Sequence, residues 1–285
     1  MKKFKSSRIL SLIFVLFAYI IATAVGILSS VYIPIENLIL NIFVADTIAT
    51  VVIFIFSMII NNSSMYDAYW SVQPMIILGC LLFKTDLSIP NILIIIAVFI
   101  WGIRLTINWV YTFQNLNWQD WRYLMLKEKT GFIYPLISFL GIHYFPTIVV
   151  FLLIAPIIHI FTMSGLVINP LTIVGFVVAL LATFIEGISD YQMQKYRQNR
   201  TTPFIKVGLW KYSRHPNYLG EITFWWGIAL MVFSLNMNFL YFVGALVNTL
   251  MFLFISIPMA DKRQSRKEGY EEYKKSTRML LPIKR

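Results

Sequence analysis

Residues 209–221 read LWKYSRHPNYLGE and run straight into the apolar stretch ITFWWGIALMVFSL at 222–235. Lys211, Tyr212, Arg214, His215, Asn217, Tyr218 and Glu221 crowd into one short segment of a chain that is 58% hydrophobic and 13% charged. Pro216 suits the first turn of a helix, where its missing N–H costs nothing. The stretch therefore reads as the polar mouth from which a helix enters an apolar medium. Whether the run near 219–235 crosses that medium decides the topology of the whole chain.

The surroundings of this mouth are those of a membrane protein. Over 285 residues the mean hydropathy is +0.72 and 16% of residues are aromatic, whereas soluble domains carry about 25% charged residues. Apolar runs long enough for about 30 Å of hydrocarbon lie near 9–30, 37–60, 89–112, 134–161, 170–190 and 238–258, with shorter ones near 68–83 and 219–235. If all eight cross, 22 of the 24 Lys and Arg fall on the side of the N-terminus; Lys84 lies opposite and Arg104 within a span. Omitting the shorter runs scatters these charges over both faces. The positive-inside rule thus retains both runs and places both termini in the cytoplasm. The expected fold is all-α, a polytopic bundle of seven to eight transmembrane helices in a cell membrane, without a soluble domain.

The net charge of +11 follows from this topology and from contact with anionic lipid, with no basic soluble module for nucleic acid. A single cysteine, Cys80, excludes an internal disulfide and any zinc site built on a cysteine pair. KKFKSSR followed by an apolar run and Ala22-Thr23-Ala24 has the outline of a signal peptide. The run continues to about Val31, however, and reads as an uncleaved first span.

Residues 1–60 add only spans, and residues 61–285 carry the polar machinery. Polar segments at about 113–132, 191–218 and 260–285 converge on the cytoplasmic side and form a natural rim for a cavity. No Gly-rich phosphate loop occurs. A transporter would show discontinuous helices in matched repeats, and none is evident.

Ionisable groups at membrane depth are costly and mark functional sites. Arg104, Glu186 and Glu221 are such groups. In FIWGIRLTINWVYTF (99–113), Arg104 and Asn108 share a helix face; an interhelical ion pair or a snorkelling arginine is the plainer alternative. In FIEGISDYQMQKYRQNR (184–200), Glu186, Asp190 and Arg197 form one stripe from the membrane out to the cytoplasm. That order suits a ligand with hydroxyl or amide groups deep and phosphates shallow. At the opening stretch, Arg214, His215 and the free N–H groups of a helix start make an anion site. Asn217 and Glu221 face inward together, and Gly220 and Gly227 permit close approach of a neighbouring helix. Tyr66, Asp67 and Tyr69 stand at the cytoplasmic mouth of the third segment, where an aromatic interface belt is the alternative. His143 and His159 fall on opposite helix faces, which rules out a metal pair and leaves polar packing.

RHPNYLGE after Gly-Leu-Trp, preceded by ISDYQMQKYR and followed by GYEEYKKSTRMLLP (269–282), resembles the steroid 5-alpha-reductase C-terminal superfamily, in particular its bacterial membrane branch. YDAYWSVQP (66–74) and QDWRY (119–123) extend the resemblance, which covers residue 60 to the end. It implies a membrane reductase that uses NADPH, with nicotinamide in the bundle interior, phosphates near the cytoplasmic face, and a lipid-like enone or alkene substrate reached from the bilayer. By that resemblance Asp190, Arg197, Asn217, Tyr218 and Glu221 match cofactor contacts, and Arg214 and His215 match the related sterol reductases. Tyr212 belongs to the same turn, and Lys262, Arg263 and Arg266 correspond loosely to C-terminal basic contacts. The Glu and Tyr that polarise the substrate carbonyl in steroid reductases have no matching motif, and Tyr66 and Asp67 stand in for them.

Isoprenylcysteine carboxyl methyltransferases, which use S-adenosylmethionine, share an R-H-P-x-Y turn. Tyr270 and Tyr273 fit their terminal Tyr-x-x-Tyr segment, but the Glu-Glu pair upstream is missing and Asp261 is the nearest acid. Asn-Tyr-x-Gly-Glu at 217–221 favours the reductase.

Overall fold

The computed structural model describes residues 2–83, 85 and 87–282; Lys84, expected opposite the basic face, lies outside them. Among the described residues there is no strand, only an isolated parallel bridge between Ser213 and Arg278. Seven helical stretches among the described residues are long and apolar enough to cross a membrane: Arg8–Tyr32, Leu38–Ile60, Ile89–Thr112, Trp121–Phe161, Pro170–Gln198, Pro216–Asn236 and Phe239–Gln264. The chain is a polytopic helical membrane protein. It divides into two compact units, Met1–Asp86 with Gly102–Thr162, and Leu87–Trp101 with Met163–Arg285.

The first unit holds α1 (Lys2–Ser6), α2 (Arg8–Tyr32), α3 (Leu38–Ile60), α4 (Tyr69–Leu82), the second half of α5 (Ile89–Thr112), α6 (Trp121–Thr130), α7 (Tyr134–Ile137) and α8 (Phe145–Phe161). Ser7 and Asn37 cap α2 and α3 by accepting from the backbone N–H three residues on, which satisfies donors that a helix start leaves open. Asn61 ends α3 in the left-handed conformation at φ 57°, a role that short amide side chains tolerate. Gly26 brings α2 against Ala45 and Ala49 of α3. Val15, Ala18, Tyr19, Ile53, Met65, Tyr66 and Tyr69 pack into the core between these helices and the turn that follows them. Tyr19 donates to the Met65 carbonyl at 2.6 Å.

Hydrogen bonds show which helix ends of this unit share a face. Lys5 Nζ donates to the Ile60 carbonyl, Arg8 Nη2 to Val110 at 2.8 Å, and Lys127 Nζ to Asn61 Oδ1 at 2.6 Å. Asn62 Nδ2 donates to the Leu116 and Trp118 carbonyls. The start of α2, the end of α3, the end of α5 and α6 therefore lie together. Two helices that both end on this face require α4 to carry the chain back between them. Its 14 residues cover about 21 Å, so it escapes a length criterion although it acts as the eighth crossing.

The second unit holds the first half of α5, α9 (Pro170–Gln198), α10 (Pro216–Asn236), α11 (Val243–Met251), α12 (Ile257–Gln264) and α13 (Tyr270–Ser276). Asn169 opens α9 with a reciprocal capping box to Thr172, the arrangement that satisfies two open donors at once. α10 begins at Pro216, as the sequence expects, with His215 as its N-cap. α9 and α10 pack at backbone contact: a Cβ on Gly227 would lie 2.8 Å from Ala179 N and 2.9 Å from the Gly175 carbonyl oxygen. One on Gly220 would lie 2.7 Å from Glu186 Cβ. Small residues take the place of hydrophobic driving force in such pairs, because lipid tails are as apolar as leucine.

Gly227→Ala forces backbone atoms apart and is expected to destabilise the protein by about 1–3 kcal/mol, read as a lowered melting temperature in detergent. Gly141→Ala meets nothing within 4 Å and is expected to leave the melting temperature unchanged or raised.

Candidate functional site

The opening stretch folds over the end of α9. Gly208, at φ 60°, lies so close to Gln192 that a Cβ would fall 2.5 Å from it, and glycine alone adopts that geometry without strain. Leu209 N–H donates to Gln192 Oε1 at 2.9 Å and Trp210 Nε1 to the Ser189 carbonyl at 3.1 Å. Lys211 and Tyr212 remain exposed on the rim.

Arg214 and His215 are buried, at 8% and 5% exposure, and their anion comes from the chain itself. Arg214 Nη2 lies 2.9 Å from Asp261 Oδ2, and His215 Nε2 3.0 Å from Asp261 Oδ1. Tyr270 donates to the same Oδ1 at 2.6 Å. Arg214 Nη1 donates to the Thr277 carbonyl at 2.6 Å and to that of Lys274 at 3.2 Å, and Arg214 N–H to the Arg278 carbonyl at 3.0 Å. Tyr273 donates to the Trp210 carbonyl. Burial and the neighbouring Asp261 carboxylate hold the Tyr270 phenol above its ordinary range; burial does the same for Tyr273. The Tyr218 ring stacks on His215, 5.2 Å between centroids. Where the sequence suggests a phosphate, the structure has a carboxylate from the end of α12.

One turn deeper, Glu221 is 2% exposed and each carboxylate oxygen accepts an indole N–H at 2.8 Å, Oε1 from Trp225 and Oε2 from Trp101. Two donors and stacked aromatic walls from Trp101 and Phe224 meet the cost of burying that group. Asn217, on the same face of α10, keeps Oδ1 buried without a hydrogen-bond partner. On α9 the predicted stripe has the expected order: Glu186 is buried, Asp190 half-buried and Arg197 exposed.

The C-terminal basic residues gather beside that stripe. Lys262, Arg263 and Arg266 are exposed. The Lys267 ammonium is pushed below its ordinary range by partial burial and by the charges of Arg200, Arg263 and Arg197. Four cations from the end of α9 and from α12 onward thus feel one another at the polar end of this unit. Arg104 and Asn108 belong to the first unit.

Tyr66 and Asp67 are also in the first unit. Tyr66 shares a 2.7 Å hydrogen bond with Thr147, and Asp67 Oδ1 accepts from Tyr123 at 2.6 Å. Burial pushes the Asp67 carboxyl up from 3.8 to about 7, against the opposing pull of Arg122 and the hydrogen bond from Tyr123. His143 bonds Ser57 and the Ser138 carbonyl, the polar packing expected of it. Sequence reasoning passed over Asp261 as a site residue and did not see Trp101 and Trp225 as partners of Glu221. An acid closing the last apolar run was the one available signal for Asp261.

Asp261→Asn leaves Arg214 buried without its counter-charge and is expected to destabilise the protein by about 3–5 kcal/mol, measured by thermal or denaturant unfolding. For Asp67, the folded state binds the extra proton between about pH 4 and 7. Its stabilising contribution is complete below the unfolded value, 3.8, and lost as pH rises through about 7. Asp67→Asn is expected to flatten this part of the curve of melting temperature against pH.

Residues 53–277 match the family described as Protein of unknown function (DUF1295). A stretch of 193 residues is 25% identical to an uncharacterized protein of Schizosaccharomyces pombe, covering 58% of this chain and 56% of that protein. Another, of 117 residues, is 29% identical to 3-oxo-5-alpha-steroid 4-dehydrogenase 1 of Macaca fascicularis, covering 40% of this chain and 42% of that one. The chain spans about half the length of these two relatives. No solved structure matches it. Because the family match takes in most of the chain and every candidate residue from Tyr66 to Arg266, the chain belongs to the DUF1295 family, a steroid 5-alpha-reductase-like family.

Proposed function

We propose that this protein is an NADPH-dependent membrane reductase acting on an activated carbon–carbon double bond of a lipid-like substrate. The observation that carries this reading is the set of mutually repelling cations Arg197, Arg200, Arg263 and Lys267, beside a series of acceptors at Glu186, Asp190 and Asn217, of which Glu186 is buried. Clustered cations suit the phosphates of a dinucleotide. They do not suit S-adenosylmethionine, whose sulfonium is itself a cation, so the methyltransferase alternative is the weaker fit. The partial homology to a steroid dehydrogenase supports the same reaction class.

Bound NADPH would supply the hydride for the electron-poor carbon of the double bond. Arg197, Arg263 and Lys267, with Lys262 and Arg266 nearby, would hold phosphate by charge. The unpartnered Asn217 oxygen and the carboxyl groups of Glu186 and Asp190 would accept from the hydroxyl and amide groups. Glu221, fixed by its two indoles, would orient Asn217 and the start of α10 and fill the deep end of the site. In this proposal Arg214, His215 and Tyr218 shape the site through Asp261 and stacking rather than by touching phosphate. In the first unit, Asp67, its carboxyl pushed up to about 7, is about half protonated at neutral pH and is the candidate general acid of the reaction; Tyr66 is the second candidate. In this reading the basic loops, by the positive-inside rule, would put the polar face and both termini in the cytoplasm.

Thermal shift of the detergent-purified protein separates the readings, since a ligand that binds only the native state raises its melting temperature. NADPH is expected to give a saturable rise, with Arg197→Ala and Asn217→Ala each weakening it by roughly tenfold in half-saturating concentration. A rise with S-adenosylmethionine alone would sink the reductase. Survival of NADPH binding in both variants would move the site elsewhere.

A further inference from the structure

The first unit contains a cavity that the reductase reading does not use. It lies among α2, α3 and α4, has a volume of about 80 Å³, and is lined by Thr23, Asn41, Asp46, Gln73 and Cys80 among apolar side chains. Asp46 sits about 12 Å into α3, inside a span. The residue is 2% exposed, yet its Oδ1 has no hydrogen-bond partner. Gln73, 7% exposed, likewise keeps Oε1 unpartnered. Asn41, at the rim of the lining, donates its Nδ2 to the carbonyls of Ser30 at 3.0 Å and Ile33 at 3.4 Å.

A buried polar atom without a partner is costly, and a carboxyl group inside a span more so. Asp46 Oδ1 and Gln73 Oε1 are acceptors without a partner, while the Gln73 and Tyr69 side chains already bear on the Asp46 carboxyl. Around them the walls are apolar, with Ile27 and Ile77 among them. A ligand that relieves this site brings N–H or O–H donors on one end and hydrocarbon on the other. An acceptor-only molecule would leave the same oxygens unsatisfied.

We propose that the cavity among α2, α3 and α4 binds the hydrogen-bond-donating head of a small amphiphile, an ammonium or hydroxyl group on an apolar chain, through Asp46 and Gln73. An ammonium head also supplies the counter-charge that an ionised Asp46 lacks. The site is independent of the cofactor and of the reductase assignment.

Cys80, the single cysteine of the chain, lines the cavity and reports on it. The purified full-length protein is treated with methyl methanethiosulfonate, with and without n-octylamine, n-octanol or n-octyl methyl ether, and Cys80 modification is followed by mass spectrometry. Octylamine is expected to slow modification saturably. Octanol is expected to do so at equal or higher concentration, and the ether, which has no donor, is expected to have no effect. Asp46→Asn is expected to raise the protecting concentration of octylamine roughly tenfold, read against that variant's own rate without ligand. If that variant does not fold, Gln73→Met tests the second acceptor in the same way. Protection by octanol but not octylamine supports the site and identifies the head as a hydroxyl. Equal protection by the ether, protection that survives both substitutions, or no protection by amine or alcohol overturns the proposal in favour of water or nonspecific partitioning. A Cys80 that never reacts shows a sealed cavity and overturns it too.

Discussion

The Asp261 carboxylate takes donors from Arg214, His215 and Tyr270, and the polar end of the second unit is built around it. Each of those side chains is expensive to bury alone. Together they neutralise one another and tie the start of α10 to the end of α12 and to α13. Arg214 extends the same knot to the carbonyls of Thr277 and Arg278, so the C-terminal segment is held by a residue some sixty positions earlier. The crowding of polar side chains at 209–221 is first of all an internal neutralisation.

That knot rests on a helix pair whose spacing leaves no room for side chains. Gly175 and Gly227 put the backbones of α9 and α10 in direct contact, and Gly220 lies against Glu186. Close approach fixes the depth of Glu186 relative to Asn217 and Glu221. The exposed cations at the end of α9 and around α12 then stand above these acceptors, and a ligand with charge at one end and neutral donors at the other matches the order.

Much of this was legible because it is local. Span positions follow from runs of apolar residues, the start of α10 at Pro216 from the chemistry of proline, and the Glu186, Asp190 and Arg197 stripe from helical periodicity. Gly220 and Gly227 announced a close neighbour without naming it. What the sequence hid is the pairing of distant residues. Glu221 and Trp101 are 120 positions apart, and no spacing rule joins them. Arg214 and His215 looked like ligand contacts because their partner, Asp261, lay at the end of a different helix. Asp46 and Gln73 likewise meet from different helices, α3 and α4, and no spacing rule joins them.

α4 also bears on how the protein meets its membrane. None of its residues is fully exposed and half of them are buried, so the hydrocarbon meets its 14-residue length only in part. A lipid-facing helix this short would force the bilayer to thin or itself to shift. Here packing of the buried half of α4 against its neighbours takes up part of the hydrophobic mismatch, and membrane thickness acts more strongly on the longer helices.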